Sequence, residues 1–314
     1  MDRHAKIYIA GHRGMVGSSI ERALERRGYD NLVCRSHKEL DLTDQAAVKR
    51  FFDAEEPEYV FLTAAKVGGI LANSAYPADF LYENTMMEMN VLRAAFEHGV
   101  KKLLFTGSSC IYPRLALQPI KEESLLTGAL EPTNEAYAVA KICGLKYCEY
   151  LFRQHGADFI SVMPSNLYGP GDNYQPEESH VLPALLRRFH EAKTLGREEA
   201  AVWSSGRPRR EFLYVDDMTD ACLLLMENYS GPETVNIGTG HDISIREAAE
   251  AVARAVGFEG RLAFDASKPD GTPRKLLDVS KLGAMGWSAR VPLEEGLRLT
   301  YADFLKNEGG RYGT

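Results

Sequence analysis

Short apolar runs alternate with amphipathic stretches through the first two-thirds of the chain. The runs at 6–10, 32–34, 59–63, 102–106 and 159–163 read as strands. Between them, 15–27, 44–54, 79–98 and 135–154 carry apolar positions at helical spacing. Repeated strand–helix alternation predicts an α/β fold, with a parallel sheet covered by helices on both faces. No internal repeat or low-complexity tract interrupts it.

After Met163 the pattern changes. Pro164, Gly169-Pro170-Gly171-Asp172 and Pro176 punctuate a long predicted loop. Beyond it the pattern predicts a helix at 182–192 and strands at 202–203 and 211–215. Asp216 is expected to cap a helix at 217–228. A strand at 234–237, a helix at 245–256 and a strand at 261–264 follow. This is a smaller mixed α/β unit that returns to the main domain. The tail 307–314, with three glycines, is expected to fray.

Composition narrows the function. The 314 residues are 45% hydrophobic and 26% charged, ordinary values for a globular protein. A net charge of −7 argues against general nucleic-acid binding. Local basic clusters at Arg187-Arg188, 207–210 and 268–275 suit a small anionic ligand instead. The five cysteines are odd in number and form no Cys-x-x-Cys, so neither a disulfide framework nor a metal knuckle is expected. The first strand begins almost at once, leaving no room for a leader's apolar core, and no apolar run approaches a membrane span. A cytoplasmic protein is expected.

Gly11-His12-Arg13-Gly14-Met15-Val16-Gly17 lies directly between the first strand and the first helix. Glycines there permit a tight turn, close approach of backbone to a pyrophosphate, and close helix–strand packing. The N–H groups of the helix start then hold the phosphates. This predicts a Rossmann-type doubly wound sheet binding a dinucleotide. The second strand ends in Cys34-Arg35-Ser36-His37-Lys38, with no acid before Glu39 to hold a ribose 2′-hydroxyl. Arg13, Arg35, Ser36 and His37 suit a 2′-phosphate, so NADP(H) is expected over NAD. Asp41 could accept from an adenine amino group or cap the next helix.

Tyr137 and Lys141 stand four apart, on one face of the helix at 135–154. An ammonium beside a phenol favours the phenolate and is expected to lower the tyrosine from its usual value of about 10. Such a tyrosine can exchange a proton with a carbonyl oxygen while hydride arrives at carbon. Ser108 and Cys110 follow the fourth strand at its carboxyl end, where parallel sheets place ligands. If the chain stays extended there, both side chains point the same way. Cys110 is then either reactive or a small buried hydrophobe.

Together with Ala64-Ala65-Lys66-Val67-Gly68-Gly69, Ser108-Ser109-Cys110-Ile111-Tyr112-Pro113 and Arg210-Glu211-Phe212-Leu213-Tyr214-Val215-Asp216-Asp217, these residues resemble the extended short-chain dehydrogenase/reductases. That superfamily acts largely on nucleotide sugars. Within it the chain is similar to the GDP-L-fucose synthases over nearly all its length. Cys110, His180 in Ser179-His180-Val181-Leu182-Pro183, and the stretch 268–275 carry that similarity. The resemblance implies inversion of C3 and C5 of GDP-4-keto-6-deoxy-D-mannose, then reduction of C4 by NADPH. Cys110 would be the base and His180 the acid, while Ser108, Tyr137 and Lys141 polarise the ketone, hold the enolate oxygen and protonate the alkoxide. Pro164, Ser165, Asn166 and Leu167 would lie along the nicotinamide, with His180 and Lys141 also touching the cofactor; Asn166 could instead only tie its loop.

Arg188, Trp203, Arg210 and Asp270 match the family's substrate positions: two cations for the diphosphate, a flat apolar wall, and an acceptor for hydroxyls or ring N–H groups. Lys268, Arg274 and Lys275 either close over the ligand or stay solvated. Close relatives present an arginine where this chain has His37, which bears on NADP preference. The resemblance further implies a homodimer packed through the helices at 79–98 and 135–154. It divides the chain into a cofactor domain, 1–166 with returning segments near 212–240, and a mainly substrate-binding domain, 167–314. A 4,6-dehydratase would need an acid beside Cys110, and none is there. A simple 4-epimerase has no need of Cys110 and His180, and a non-catalytic sensor commonly loses the tyrosine or lysine, whereas this chain keeps both.

Overall fold

The computed structural model describes residues 1–175, 179–267 and 270–306. Pro176, Lys268, Pro269 and the tail 307–314 lie outside the described residues. The chain begins β1 (Ile7–Ala10), α1 (Met15–Arg26), β2 (Leu32–Val33), α2 (Gln45–Glu55), β3 (Tyr59–Leu62), α3 (Ile70–Ala75), α4 (Pro77–Glu97) and β4 (Lys102–Thr106). It continues through α5 (Glu135–His155), β5 (Phe159–Pro164), β6 (Asn166–Tyr168), α6 (Val181–Thr194), β7 (Glu199–Val202), β8 (Arg209–Arg210), β9 (Phe212–Tyr214) and α7 (Val215–Asn228). The rest is β10 (Val235–Ile237), β11 (Ile243–Ser244), α8 (Ile245–Val256), β12 (Arg261–Phe264), β13 (Arg274–Lys275), α9 (Ser280–Ala284) and α10 (Leu293–Lys306).

Six strands form one parallel sheet in the order β2-β1-β3-β4-β5-β10. The strands carry side chains into two cores by simple alternation. Tyr8 and Ala10 face one core with Phe52 of α2, Leu92 of α4 and Leu145 of α5. Ile7 and Ile9 face the other, with Ile20 and Leu24 of α1 and Met218 and Leu225 of α7. Each such aliphatic side chain contributes about 1.5–3 kcal/mol by leaving water, so the sandwich holds the carboxyl edge of the sheet rigid. The crossover from β1 leads to β2 on one side, and the chain then passes back to β3 on the other. The carboxyl ends of β1 and β3 therefore flank a topological switch point, where such sheets bind ligands.

The smaller unit has its own core, where Leu185 and Phe189 of α6 meet Val252 of α8 and Leu297 of α10. Its strand ends at Val202 and pairs in parallel with β12, so Trp203 lies just beyond it. Two expectations need correction. The segment after β5 is not all loop: β6 pairs in parallel with β9. Nor does Asp216 cap a helix, because α7 starts at Val215 with Tyr214 as its cap residue. Both acids fall in the first turn, where the helix dipole favours them, and tertiary partners claim them. Asp216 accepts from Ser19 Oγ at 2.6 Å, and Asp217 accepts from the amides of Arg290 and Val291 at 2.9 Å. Among the described residues no helix is long and apolar enough to cross a membrane, and no acid, histidine and cysteine cluster suits a metal.

Candidate active site

The glycine turn is built as the sequence suggests. Gly11 ends β1 at φ +91°, and a Cβ on it would sit 2.6 Å from the Ala64 nitrogen at the end of β3. A Cβ on Gly17 would lie 2.2 Å from the Gly11 carbonyl oxygen. Only glycine lets α1 and β1 meet this closely. Gly14 caps α1 without a side-chain hydrogen bond, so the first N–H groups of the helix, at Met15, Val16 and Gly17, have no capping acceptor. Arg13 is exposed beside them, and His12 Nδ1 is buried without a hydrogen-bond partner. These features fit a pyrophosphate at a helix N-terminus.

The far end of the cofactor groove is more committed than the sequence suggested. Arg35 pairs with Glu55 at 2.5 Å and donates to its neighbour's carbonyl, which turns it toward α2. Ser36 donates through N–H and Oγ to Glu39 at 2.7 and 2.6 Å. His37 is open to solvent, 4.0 Å from Asp41. Asp41 accepts from Thr43, and Asp44 is the residue that caps α2. Of the Arg13 and Arg35 guanidiniums, Arg13 is the exposed one, and it has no hydrogen bond among the described residues. Among the residues after β5, Ser165 Oγ is buried without a partner, Leu167 packs on the second core, and Asn166 Nδ2 donates to the Glu211 carbonyl at 2.8 Å. Asn166 thus ties β6 to the start of β9.

Beyond β4 the chain does not stay extended. Ser108 keeps extended backbone angles, but Ser109–Ile111 coils into a 3₁₀ turn, and Ser108 Oγ accepts from the Cys110 amide at 3.3 Å. The turn, not strand alternation, brings Cys110 beside Ser108. Cys110 is buried, and burial pushes its thiol up; the Lys275 ammonium, Ser108 and Lys141 pull the other way. His180 is the cap residue of α6 and stays open at the rim, yet desolvation by its surroundings and the Lys275 charge draw its imidazole down. Lys275 itself is pulled down by burial, while Cys110 pulls it back up. One lysine from β13 thus touches the electrostatics of both groups. The sequence offered Lys275 as a residue that closes over the ligand or stays solvated; it did not place it beside Cys110 and His180.

Tyr137 and Lys141 share a face of α5, with the ammonium 5.7 Å from the phenol ring centroid. The expected lowering of the phenol is overturned: Tyr137 is raised well above its usual value by burial, then by Cys110 and Glu88. Beside burial and Cys110, one contributor is a residue the helical pattern hid. Glu88 of α4 is fully buried and lies 3.0 Å from Lys141 Nζ, so the lysine charge is already matched. Lys141 also donates to the Thr106 carbonyl at 3.0 Å. An acid at a position where α4 should be apolar, four residues after buried Asn84, was the available signal.

On the second lobe, the Arg188 guanidinium lies 4.1 Å over the Trp203 ring and donates to the Ala201 carbonyl. Arg210 donates to the Asp270 carbonyl at 3.1 Å. The Asp270 carboxylate accepts from Ser204 Oγ, the Ser205 amide and Ser205 Oγ at 2.6–2.9 Å. Burial pushes that carboxyl up, but the serine bonds outweigh it and hold it below the usual range. Glu211 staples this wall to the sheet: it accepts from the amides of Gly240 at 2.7 Å and Leu277 at 3.0 Å. Ser204, Ser205 and Glu211 had no individual signal in the sequence.

A glycine turn at the sheet edge, a buried tyrosine–lysine pair, and a second lobe carrying Arg188, Trp203, Arg210 and Asp270 make up the site. The chain belongs to the NAD dependent epimerase/dehydratase family, whose model matches residues 7–238. It is 61% identical to GDP-L-fucose synthase 1 of Arabidopsis thaliana over 98% of this chain and 95% of that protein. It is 56% identical to GDP-L-fucose synthase of Escherichia coli over 96% of this chain and 97% of that one. A GDP-L-fucose synthetase from Naegleria fowleri, solved bound to NADP, superposes with a TM-score of 0.91 at 30% identity, covering 99% of this chain and 97% of the other.

Proposed function

We propose that the protein is a GDP-L-fucose synthase, which inverts C3 and C5 of GDP-4-keto-6-deoxy-D-mannose and reduces C4 to give GDP-L-fucose. One observation carries the reading: a buried cysteine lies in the turn beside Ser108 and couples to Tyr137, inside a carbonyl-reducing site. A plain reductase needs no such group. The relatives' names support the same product, GDP-L-fucose.

The 4-ketone acidifies the protons on C3 and C5. Cys110 removes each proton, and His180 returns one to the opposite face. Ser108 and Tyr137 donate to the enolate oxygen, so one carbonyl cradle serves both inversions. Tyr137 finally protonates the C4 alkoxide, with Lys141 beside it holding positive charge. NADPH supplies the hydride for C4 when bound. The Gly11–Gly17 turn would hold its pyrophosphate, Arg13 with Ser36 and His37 its 2′-phosphate, and the segment Pro164 to Leu167 its nicotinamide side. Arg188 and Arg210 would face the GDP diphosphate, Trp203 its base, and Asp270 its hydroxyls.

The division into a cofactor domain (1–166 plus 212–240) and a substrate domain (167–314) follows from this assignment. We also read the molecule as a homodimer. The outer sides of α4 and α5 leave Leu81, Tyr82, Val139 and Tyr150 exposed, which supports a helix-to-helix interface. All five cysteines are free, which fits a reducing, cytoplasmic setting.

The deciding experiment supplies the ketone and NADPH in D2O. Deuterium at C3 and C5, with loss of nicotinamide absorbance, is expected. Reduction without deuterium would eliminate the epimerase role, and no reduction would eliminate the whole reading. Cys110→Ala should stop the exchange, while Tyr137→Phe should mainly slow reduction.

A further inference from the structure

Lys141 is 2% exposed, and its ammonium meets only a short set of partners. Glu88 Oε1 lies 3.0 Å away and the Thr106 carbonyl oxygen 3.0 Å away. The Phe105 ring lies against it, with its centroid 4.9 Å off. An ammonium has three donors; with two directed at Glu88 and Thr106, one remains for the Tyr137 side. Glu88 comes from a different helix and is fully buried on α4. Neither of its carboxylate oxygens has a hydrogen-bond partner apart from that ion contact. A buried carboxylate without other support is expensive, so its placement against Lys141 is its reason to be there.

The fold makes room for it. A Cβ on Gly144 of α5 would fall 2.7 Å from Glu88 Oε2 and 2.6 Å from the Phe105 ring. The missing side chain on α5 lets the carboxylate slip between the two helices, one turn from Lys141.

We propose that Glu88 is a positioning residue for the reduction step: its carboxylate holds the Lys141 ammonium and fixes where it points, one helical turn below Tyr137. It touches neither ketone nor cofactor and acts through Lys141. This rests on the reading of Tyr137 and Lys141 given above. The titratable groups around it are few. Lys141, Tyr137, Cys143 and Cys148 of α5 feel Glu88, and Cys110, from the turn after β4, also faces Tyr137.

Glu88→Gln keeps the shape and removes the charge. A phenol relieved of a nearby anion releases its proton at lower pH. Removing the Glu88 charge beside Tyr137 therefore moves the alkaline limb of the reduction downward. The test is single-turnover reduction of the ketone already equilibrated at C3 and C5, followed at the nicotinamide absorbance from pH 7 up to the highest pH at which the enzyme stays folded. Glu88→Gln is expected to move the alkaline limb down by about one unit or more, with KM for the nucleotide sugar unchanged. Glu88→Asp, which keeps the charge on a shorter arm, is expected to give an intermediate limb. It serves alone if thermal unfolding shows the glutamine variant does not fold. A uniform drop in rate with an unmoved profile in the variants that fold would mean a merely structural residue, and the proposal fails. A wild-type enzyme that does not reduce this ketone sinks the reading of the site instead, which separates the two failures.

Discussion

Tyr137 and Lys141 lie one turn apart, as their spacing demands, but the phenol does not feel the lysine alone. Burial raises the phenol most, and Cys110 and Glu88 raise it further, so Tyr137 rests protonated and ready to donate. A comparable inversion holds for the epimerisation pair. Burial lifts the Cys110 thiol, while desolvation by its surroundings and the Lys275 charge lower the His180 imidazole. The base is active as thiolate, a fraction that grows tenfold per pH unit below the thiol's pKa. The acid is active as imidazolium, a fraction that shrinks tenfold per unit above the imidazole's pKa. Between the two values their product is constant. Deuterium exchange at C3 and C5 should therefore be nearly flat with pH from about 7 to 9. A bell with a peak inside that window would reject these roles or these directions.

At the scale of elements, two contacts without side chains set the site. Gly17 lets α1 close on β1, and Gly144 lets α5 close on β4 and α4. Gly17→Ala forces a Cβ against the Gly11 carbonyl, which is backbone and cannot swing aside. That substitution is expected to cost about 1–3 kcal/mol of stability and to abolish NADPH binding. Thermal unfolding and NADPH fluorescence titration check it; a variant that binds NADPH as tightly as the parent would contradict the proposed cradle. The glycine spacing announced this element, because each glycine answers a local need between one strand and one helix. Gly144 and Glu88 carried no such announcement. They answer to each other across two helices more than fifty residues apart in the chain.

For the whole molecule, the sheet places the turn after β1, the turn after β4 and the segment after β5 along one carboxyl edge, and the second lobe faces that edge with Arg210 and Lys275. A solution mass of twice the 34.9 kDa chain is expected by light scattering. Tyr82→Glu combined with Tyr150→Glu should halve it, since each introduces a charge on an exposed aromatic of α4 or α5. A wild-type monomer would end the homodimer reading. The periodicity of the chain, its glycine turn and the tyrosine–lysine spacing were legible by themselves, because each depends on residues within a turn or two of one another. So was the family, since Cys110 and His180 stand in short characteristic stretches. Only tertiary structure decided which charges surround them. The Glu88 partner of Lys141, the Lys275 ammonium near Cys110, the Ser204–Ser205 grip on Asp270 and the diversion of Arg35 to Glu55 all join separate segments, the first of them in a low-dielectric interior. There, one buried neighbour outweighs local spacing.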